Sequence, residues 1–301
     1  MTAAARDTSA STSTWGLTPG DEVVRDCTVQ RLVGGGTSYE AYLAFDEQRL
    51  TPVVVKVVRP HLVDDPGTLR TLAREIDVVG RLAHPVVVRG FHAESSGARP
   101  YIALERLHGP SLAKLIRRHG ALDLDQVIPL ALEICSALHY LHARGVVHLD
   151  VKPSNIIMDT VPRLIDFSIA RSVEQAAALD HTTGTDRYLA PEQADPPRTG
   201  TPGPASDVWG LGATLFHAIA GYRPFSDGSR DPDAPAEARW PQLIEPALDL
   251  PASVPAPLAQ IVGACLSRDP EQRPTPREVF DVLDPAMERL PRPRVAPLRV
   301  R

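Results

Sequence analysis

Two hydrophobic periods divide the chain. From Asp26 to Val58 the period is two. Cys27, Val29 and Arg31 alternate with Thr28, Gln30 and Leu32, and Ala41, Leu43 and Phe45 alternate with Glu40, Tyr42 and Ala44. A β-branched run from Val53 to Val58 follows, interrupted by Lys56. Alternation of this kind predicts strands, because successive side chains point to opposite faces. Over 67–82 the period becomes helical: Leu69, Leu72, Ile76 and Val79 recur with Arg70, Arg74 and Arg81 between them. Past Arg106 the pattern is mostly helical. Ser111 is placed to cap a short helix that Gly120 ends. Val127, Leu130, Ile134, Leu138 and Leu141 form one apolar stripe. Further helices are expected at 207–220, 258–267 and 276–283. Strands with one helix come first and helices after, which is an α+β order. Residues 195–206 and 226–257, rich in Pro, Gly, Asp and Ala, read as surface loops. Residues 1–20 read as a disordered arm, and 285–301, with five Arg and four Pro, as a solvated basic tail.

Composition narrows the classes. With 301 residues and 43% hydrophobic content the chain can bury one large core or two smaller ones. A net charge of −5 supplies no global field toward nucleic acid, so no nucleic-acid partner is expected. No apolar run approaches the ~18 residues of a membrane helix. The first twenty residues lack the hydrophobic block of a secretory signal. The expected location is the cytoplasm, with no membrane partner. The three cysteines, Cys27, Cys135 and Cys265, match no metal or redox spacing and read as small buried hydrophobes of a reducing compartment. Lysine is rare. Only Lys56, Lys114 and Lys152 occur among 32 basic residues, so a retained lysine stands out.

The candidate chemistry begins at Gly34-Gly35-Gly36, a glycine turn between strands whose backbone N–H groups can approach phosphate oxygens. A Gly-rich hairpin alone carries little weight. Twenty residues on, Lys56 breaks an apolar strand, and a buried ammonium needs an anion. Glu75 on the following helix is placed to supply it. An edge lysine reaching solvent is the competing reading. The decisive segment is His148-Leu149-Asp150-Val151-Lys152-Pro153-Ser154-Asn155, with Ile165-Asp166-Phe167 shortly after. These residues offer a base for a hydroxyl proton, a cation for phosphate, and two hard oxygen ligands suited to Mg²⁺ rather than Zn²⁺.

Taken in order, these motifs resemble the eukaryotic-type protein kinases, especially their bacterial serine/threonine (Hanks-type) branch, from about Val24 to Leu283. Further matching positions are Ala190-Pro191-Glu192, Asp207 in Ser206-Asp207-Val208-Trp209-Gly210, and Arg273 as the partner of Glu192. The resemblance implies a bilobal protein-kinase fold: a small antiparallel-sheet N-lobe of about 21–105 with one helix, the family's αC, and a larger, mainly helical C-lobe of about 106–284. It implies an ATP-dependent enzyme that phosphorylates Ser or Thr of protein substrates. By the same resemblance, Gly34, Gly35 and Gly36 cover the nucleotide and Lys56, held by Glu75, orients its phosphates. Leu104 is the gatekeeper, and Glu105 to Leu107 is the hinge facing adenine. Asp150 is the base, Lys152 neutralises the moving phosphoryl group, and Asn155 and Asp166 hold Mg²⁺, with Mn²⁺ as the alternative ion. Lys152 two residues after Asp150, and Thr185, point to the serine/threonine branch. Thr182 and Thr183 are the expected autophosphorylation positions.

Four positions depart from the family pattern. Tyr39 stands at the third loop glycine and Ala41 at the valine over adenine. Ser168 follows Asp166-Phe167 where glycine is usual, which should restrict flipping of that segment. Leu149 replaces the arginine that pairs with an activation-loop phosphate, so activity is expected not to depend on a phosphate read there. A pseudokinase scaffold of the same fold is the alternative reading. A small-molecule kinase is disfavoured, because that class lacks the Ala-Pro-Glu segment and the Arg273 partner.

Overall fold

The computed structural model describes residues 13–185 and 187–287. The chain forms two compact units, one of residues up to Ala83 plus Val88–His108, the other of His84–Val87 plus residues from Gly109 onward.

The smaller unit is a six-stranded antiparallel sheet in the order β1-β2-β3-β4-β6-β5. Its strands are β1 (Glu22–Val24), β2 (Cys27–Gly35), β3 (Tyr39–Asp46), β4 (Thr51–Val58), β5 (Gly90–Glu94) and β6 (Tyr101–Glu105), with helix α1 (Pro66–Arg81) between β4 and β5. The β3–β4 hairpin keeps unbroken register from Tyr39↔Val58 to Asp46↔Thr51. On its inner face Tyr42, Ala44, Val53, Val55 and Val57 pack with Val23, Val24, Cys27, Val29 and Ala103. The buried register of β3 therefore includes Glu40 and Asp46. Glu40 is accommodated by Arg59 at 2.9 Å and by the Tyr42 hydroxyl, which satisfy a charge that burial would otherwise penalise. Beyond Val29 every residue of β2 is exposed, and its register slips twice. In α1, Asp65 caps the Thr68 N–H at 2.7 Å and Pro66 occupies the first turn. The helix buries Leu72, Glu75, Val78 and Val79. An acid thus sits in the middle of its apolar stripe.

The larger unit is built on α3 (Leu124–Ala143) and α7 (Pro204–Ala220), with α9 (Ala256–Cys265) and α10 (Pro276–Met287) packed against them. Its other elements are α2 (Leu112–His119), α4 (Val173–Ala177), α5 (Pro191–Ala194), α6 (Pro196–Thr199) and α8 (Ala236–Arg239). Two short antiparallel pairs complete it: β7 (Val146–Val147) with β10 (Arg171–Ser172), and β8 (Ile156–Ile157) with β9 (Arg163–Leu164). Ser111 and Gly120 cap α2 as expected, with Gly120 at φ 75°. Val127, Leu130, Ile134, Leu138 and Leu141 are all buried. Helix α7 is buried nearly all round, as a central helix must be.

Four expectations need correction. Residues from Ser13 on are not a loose arm: Trp15 and Leu17 pack on the sheet core, and the Trp15 indole donates to the Val58 carbonyl at 2.8 Å. Residues 1–12 lie outside the described residues. The boundary between the units is not a single cut near 105, because His84–Val87 group with the larger unit, where Leu164 N–H bonds to the Val86 carbonyl. Within 226–257, Trp240 is buried with Leu189 and Ala194, since an indole covers more apolar area than a Pro/Ala-rich composition suggests. Helix α10 runs through Pro285 to Met287; residues 288–301 of the expected tail lie outside the described residues. Among the described residues no helix is long and apolar enough to cross a membrane.

Candidate active site

In the smaller unit Lys56 projects from β4 on the face opposite Val55 and Val57. Its ammonium lies 2.9 Å and 3.1 Å from the two Glu75 carboxylate oxygens. The Glu75 side chain is 1% exposed and that of Lys56 17%, so the pair holds in a low-dielectric setting where an unpaired charge is costly. Tyr39 adds what sequence reading missed. Its ring lies 4.6 Å from the Lys56 ammonium, and its hydroxyl reaches the Thr68 carbonyl on α1. The aromatic face attracts the cation, so the missing glycine is replaced by a clamp on Lys56. Gly34 and Gly35 pair with Ala41 and Glu40. The Gly36 N–H bonds to the Tyr39 carbonyl, and Arg59 donates to the Gly36 carbonyl at 2.7 Å. Leu104 and Glu105 end β6, and Leu107 lies just past it, half-buried. No sequence signal marked Tyr39 as a Lys56 partner, because the contact depends on the β3–β4 register.

In the larger unit the chemistry converges on Asp150. Its Oδ1 accepts the Thr185 hydroxyl at 2.8 Å. Its Oδ2 accepts Lys152 Nζ at 2.7 Å and Asn155 Nδ2 at 2.9 Å. Lys152 Nζ also meets the Thr185 hydroxyl. Asn155 thus spends its amide N–H groups on Asp150, leaving Oδ1, whose hydrogen-bond contact is Ser154 Oγ at 3.5 Å. That is a hard oxygen donor of the kind a divalent cation takes. Asp166 supplies a second carboxylate, held at φ 66°, and Phe167 beside it is fully buried with its ring edge-on to His148. Ser168 is not in the left-handed region, so serine carries no backbone strain in this conformation.

The loop that presents Asp150 is fixed by Asp207, near the start of α7. Its carboxylate accepts the backbone N–H groups of His148 at 2.9 Å and Leu149 at 2.7 Å, and it meets His142 Nε2 at 2.9 Å. Leu149 needs that clamp because its φ is 65°, a conformation that costs a non-glycine residue about 1–2 kcal/mol. His148 Nδ1 accepts the Asp150 N–H, which leaves Nε2 to donate to the Ile165 carbonyl at 3.3 Å. The loop's backbone and the residue before Asp166 are thereby tied through one imidazole.

Glu192 and Arg273 form a bidentate pair at 2.6 Å and 2.8 Å, both side chains 0% exposed. Ser206 donates to Glu192, and Arg273 donates to the carbonyls of Ser267, Ala205 and Arg268. Every charge-bearing edge is satisfied, the condition under which a buried pair persists. The Leu149 side chain is buried with Val147 and Ala176, and Ile169, Val173 and Leu179 pack on this group. The Gln193 amide ties the Leu149 and Thr183 carbonyls together at 2.8 Å and 2.9 Å. The position expected to lack a phosphate-reading arginine therefore holds an apolar contact with the segment that follows Phe167.

Comparison with known proteins places this geometry in a family. The protein kinase domain model matches residues 27–282. Serine/threonine-protein kinase PknB of Mycobacterium leprae is 31% identical over 254 residues, covering 80% of this chain and 40% of that protein. The probable serine/threonine-protein kinase PkwA of Thermomonospora curvata is 33% identical over 256 residues, 84% of this chain and 33% of its own length. PknB of Mycobacterium tuberculosis is 32% identical over 258 residues, with shares of 80% and 40%. The match thus spans two fifths or less of each of these relatives. On the extent of the domain match, the chain belongs to the protein kinase domain family.

Proposed function

We propose that the chain transfers the γ-phosphoryl group of ATP to serine or threonine hydroxyls of protein substrates. The observation that carries this reading is the single carboxylate of Asp150 held jointly by Lys152, Asn155 and Thr185. In the proposed reaction Asp150 takes the proton as the substrate oxygen bonds to the γ-phosphorus, the bond to the β,γ-bridging oxygen breaks, and ADP leaves. Lys152 compensates charge on the moving phosphoryl group. Lys56, held by Glu75, orients the α- and β-phosphates, Gly34 to Gly36 cover them, and Leu104, Glu105 and Leu107 face adenine. Asn155 Oδ1 and the Asp166 carboxylate are the donors for the ion, Mg²⁺ or Mn²⁺, which would neutralise phosphate charge. Little bond-making is asked of the protein, and positioning and charge carry the rate.

Serine/threonine preference rests on Thr185, whose hydroxyl reaches Asp150 and Lys152 together. Thr182 and Thr183 are proposed autophosphorylation positions. Replacing Asp150 by Asn keeps the shape and removes the base. With radiolabelled ATP and a generic protein substrate, activity should fall by about 10²–10⁴-fold. Equal activity in Asp150→Asn and the unmodified chain would refute the assignment.

A further inference from the structure

A second cluster of donor atoms lies in the smaller unit, apart from the residues assigned to phosphoryl transfer. Cys27 opens β2, Asp46 ends β3 directly opposite it in the ladder, and His92 lies in β5. β5 is at the far end of the strand order, so the sheet curls to bring these residues together. Their donor atoms all lie within 4.8 Å of one another. Cys27 Sγ is 3.8 Å from His92 Nε2, and Asp46 Oδ2 is 3.3 Å from the same nitrogen. With Zn–S of about 2.3 Å and Zn–N and Zn–O of about 2.0–2.1 Å, tetrahedral angles require about 3.6 Å between sulfur and nitrogen and about 3.3 Å between nitrogen and oxygen. These two spacings need adjustments of only a few tenths of an ångström, and the sulfur–oxygen separation lies within 4.8 Å.

We propose that Cys27, Asp46 and His92 form a Zn²⁺ site, with a water molecule completing the tetrahedron. Three observations support it. The first is convergence. A Cys–His–Asp catalytic chain sets the thiol and the carboxylate on opposite ring nitrogens, whereas here both approach Nε2. The second is the outer contact. His92 Nδ1 lies 3.0 Å from the Tyr101 hydroxyl, and ligating histidines are held through their other nitrogen in this way. The third is enclosure and charge. Cys27 and Asp46 are each 1% exposed, and the imidazole, at 24% exposure, leaves an entry path. The Asp46 carboxylate close to the thiol sulfur favours a dication, and coordination removes the thiol proton. Arg49, 3.1 Å from Asp46 Oδ2, opposes the ion. However, Asp46 Oδ1 carries the turn bonds from Gln48 and Arg49 N–H, leaving Oδ2 to be shared. The binding step is balanced as Zn²⁺ plus thiol giving zinc thiolate plus one released proton. A thiolate–imidazole–carboxylate set suits Zn²⁺ better than Mg²⁺ or Ca²⁺.

The test uses the full chain without nucleotide, incubated with ZnCl₂ and desalted, with bound metal measured by mass spectrometry and affinity by chelator competition. The expected result is one Zn²⁺ per chain, and Co²⁺ in its place should show thiolate charge-transfer absorption. Cys27→Ser and His92→Gln should each weaken binding by at least about a hundredfold, and Tyr101→Phe by about tenfold. Cys135→Ser with Cys265→Ser should leave it unchanged. His92→Gln keeps a polar group of similar reach and serves if Cys27→Ser folds poorly. Substoichiometric metal in the unmodified chain, or undiminished binding in His92→Gln, would overturn the site.

Discussion

Replacing Leu149 by Ala tests whether apolar packing holds the segment after Phe167. Leu149 is 3% exposed, and its neighbours divide into two sets. Val147 lies with it before Asp150, while Ile169, Val173, Ala176 and Leu179 lie after Phe167. Buried Leu→Ala changes cost 2–5 kcal/mol, least where the surroundings can close in. A cluster half composed of partly exposed side chains should sit at the low end, about 2–3 kcal/mol. At about 1.4 kcal/mol per factor of ten, that is a 30- to 150-fold shift in the docking equilibrium of this segment. The loss should stay local, because the Asp207 bonds to His148 and Leu149 involve backbone N–H groups that the substitution leaves intact. Hydrogen exchange read by mass spectrometry should show protection over 169–180 falling at least about tenfold, with peptides of α3 unchanged. If the apolar contact holds the segment, replacing both Thr182 and Thr183 by Ala should change kcat less than about tenfold. Unchanged protection in Leu149→Ala, or a kcat loss near a hundredfold in the double threonine variant, would refute the reasoning.

Arg273→Met should destabilise the chain by about 3–5 kcal/mol, since among the described residues Glu192 would keep only Ser206 in a fully buried position; chemical denaturation measures this, and a loss under about 1 kcal/mol would count against it. Gly210→Ala places a Cβ 2.7 Å from the Val151 carbonyl, so the loop carrying Asp150 must shift; kcat should fall by about tenfold with the ATP KM little altered. Burial, with Arg223 nearby, lowers His217 from 6.5 to about 4, and its Nδ1 lies 2.8 Å from the Tyr188 hydroxyl. As pH falls through that window the unfolded chain takes the proton first, so Tm should drop between pH 6.5 and 4. His217→Phe should flatten that slope, and an unchanged slope would point to other groups.

The sequence alone determined the order of elements and most of the candidate site. Strand alternation, the α1 period, the α2 caps and the α3 stripe are local patterns, set by side-chain period and capping chemistry, and the structure keeps them. The Lys56–Glu75 pairing was legible because a charge inside an apolar strand requires an opposite one nearby. The Asp150, Lys152 and Asn155 set was legible because it is compressed into six residues. What only the tertiary structure decided are contacts between residues distant in sequence. Tyr39 reaches Lys56 through the register of one hairpin, and Trp15 folds onto the sheet although its neighbours in sequence are small and polar. Leu149 finds its partners some 20–30 residues on. Cys27, inert by its spacing, meets Asp46 across a ladder and His92 through the curl of the whole sheet. Periodicity reports which face a side chain takes, whereas register and curl select what it faces, and those are set by the summed packing of many residues rather than by any local run.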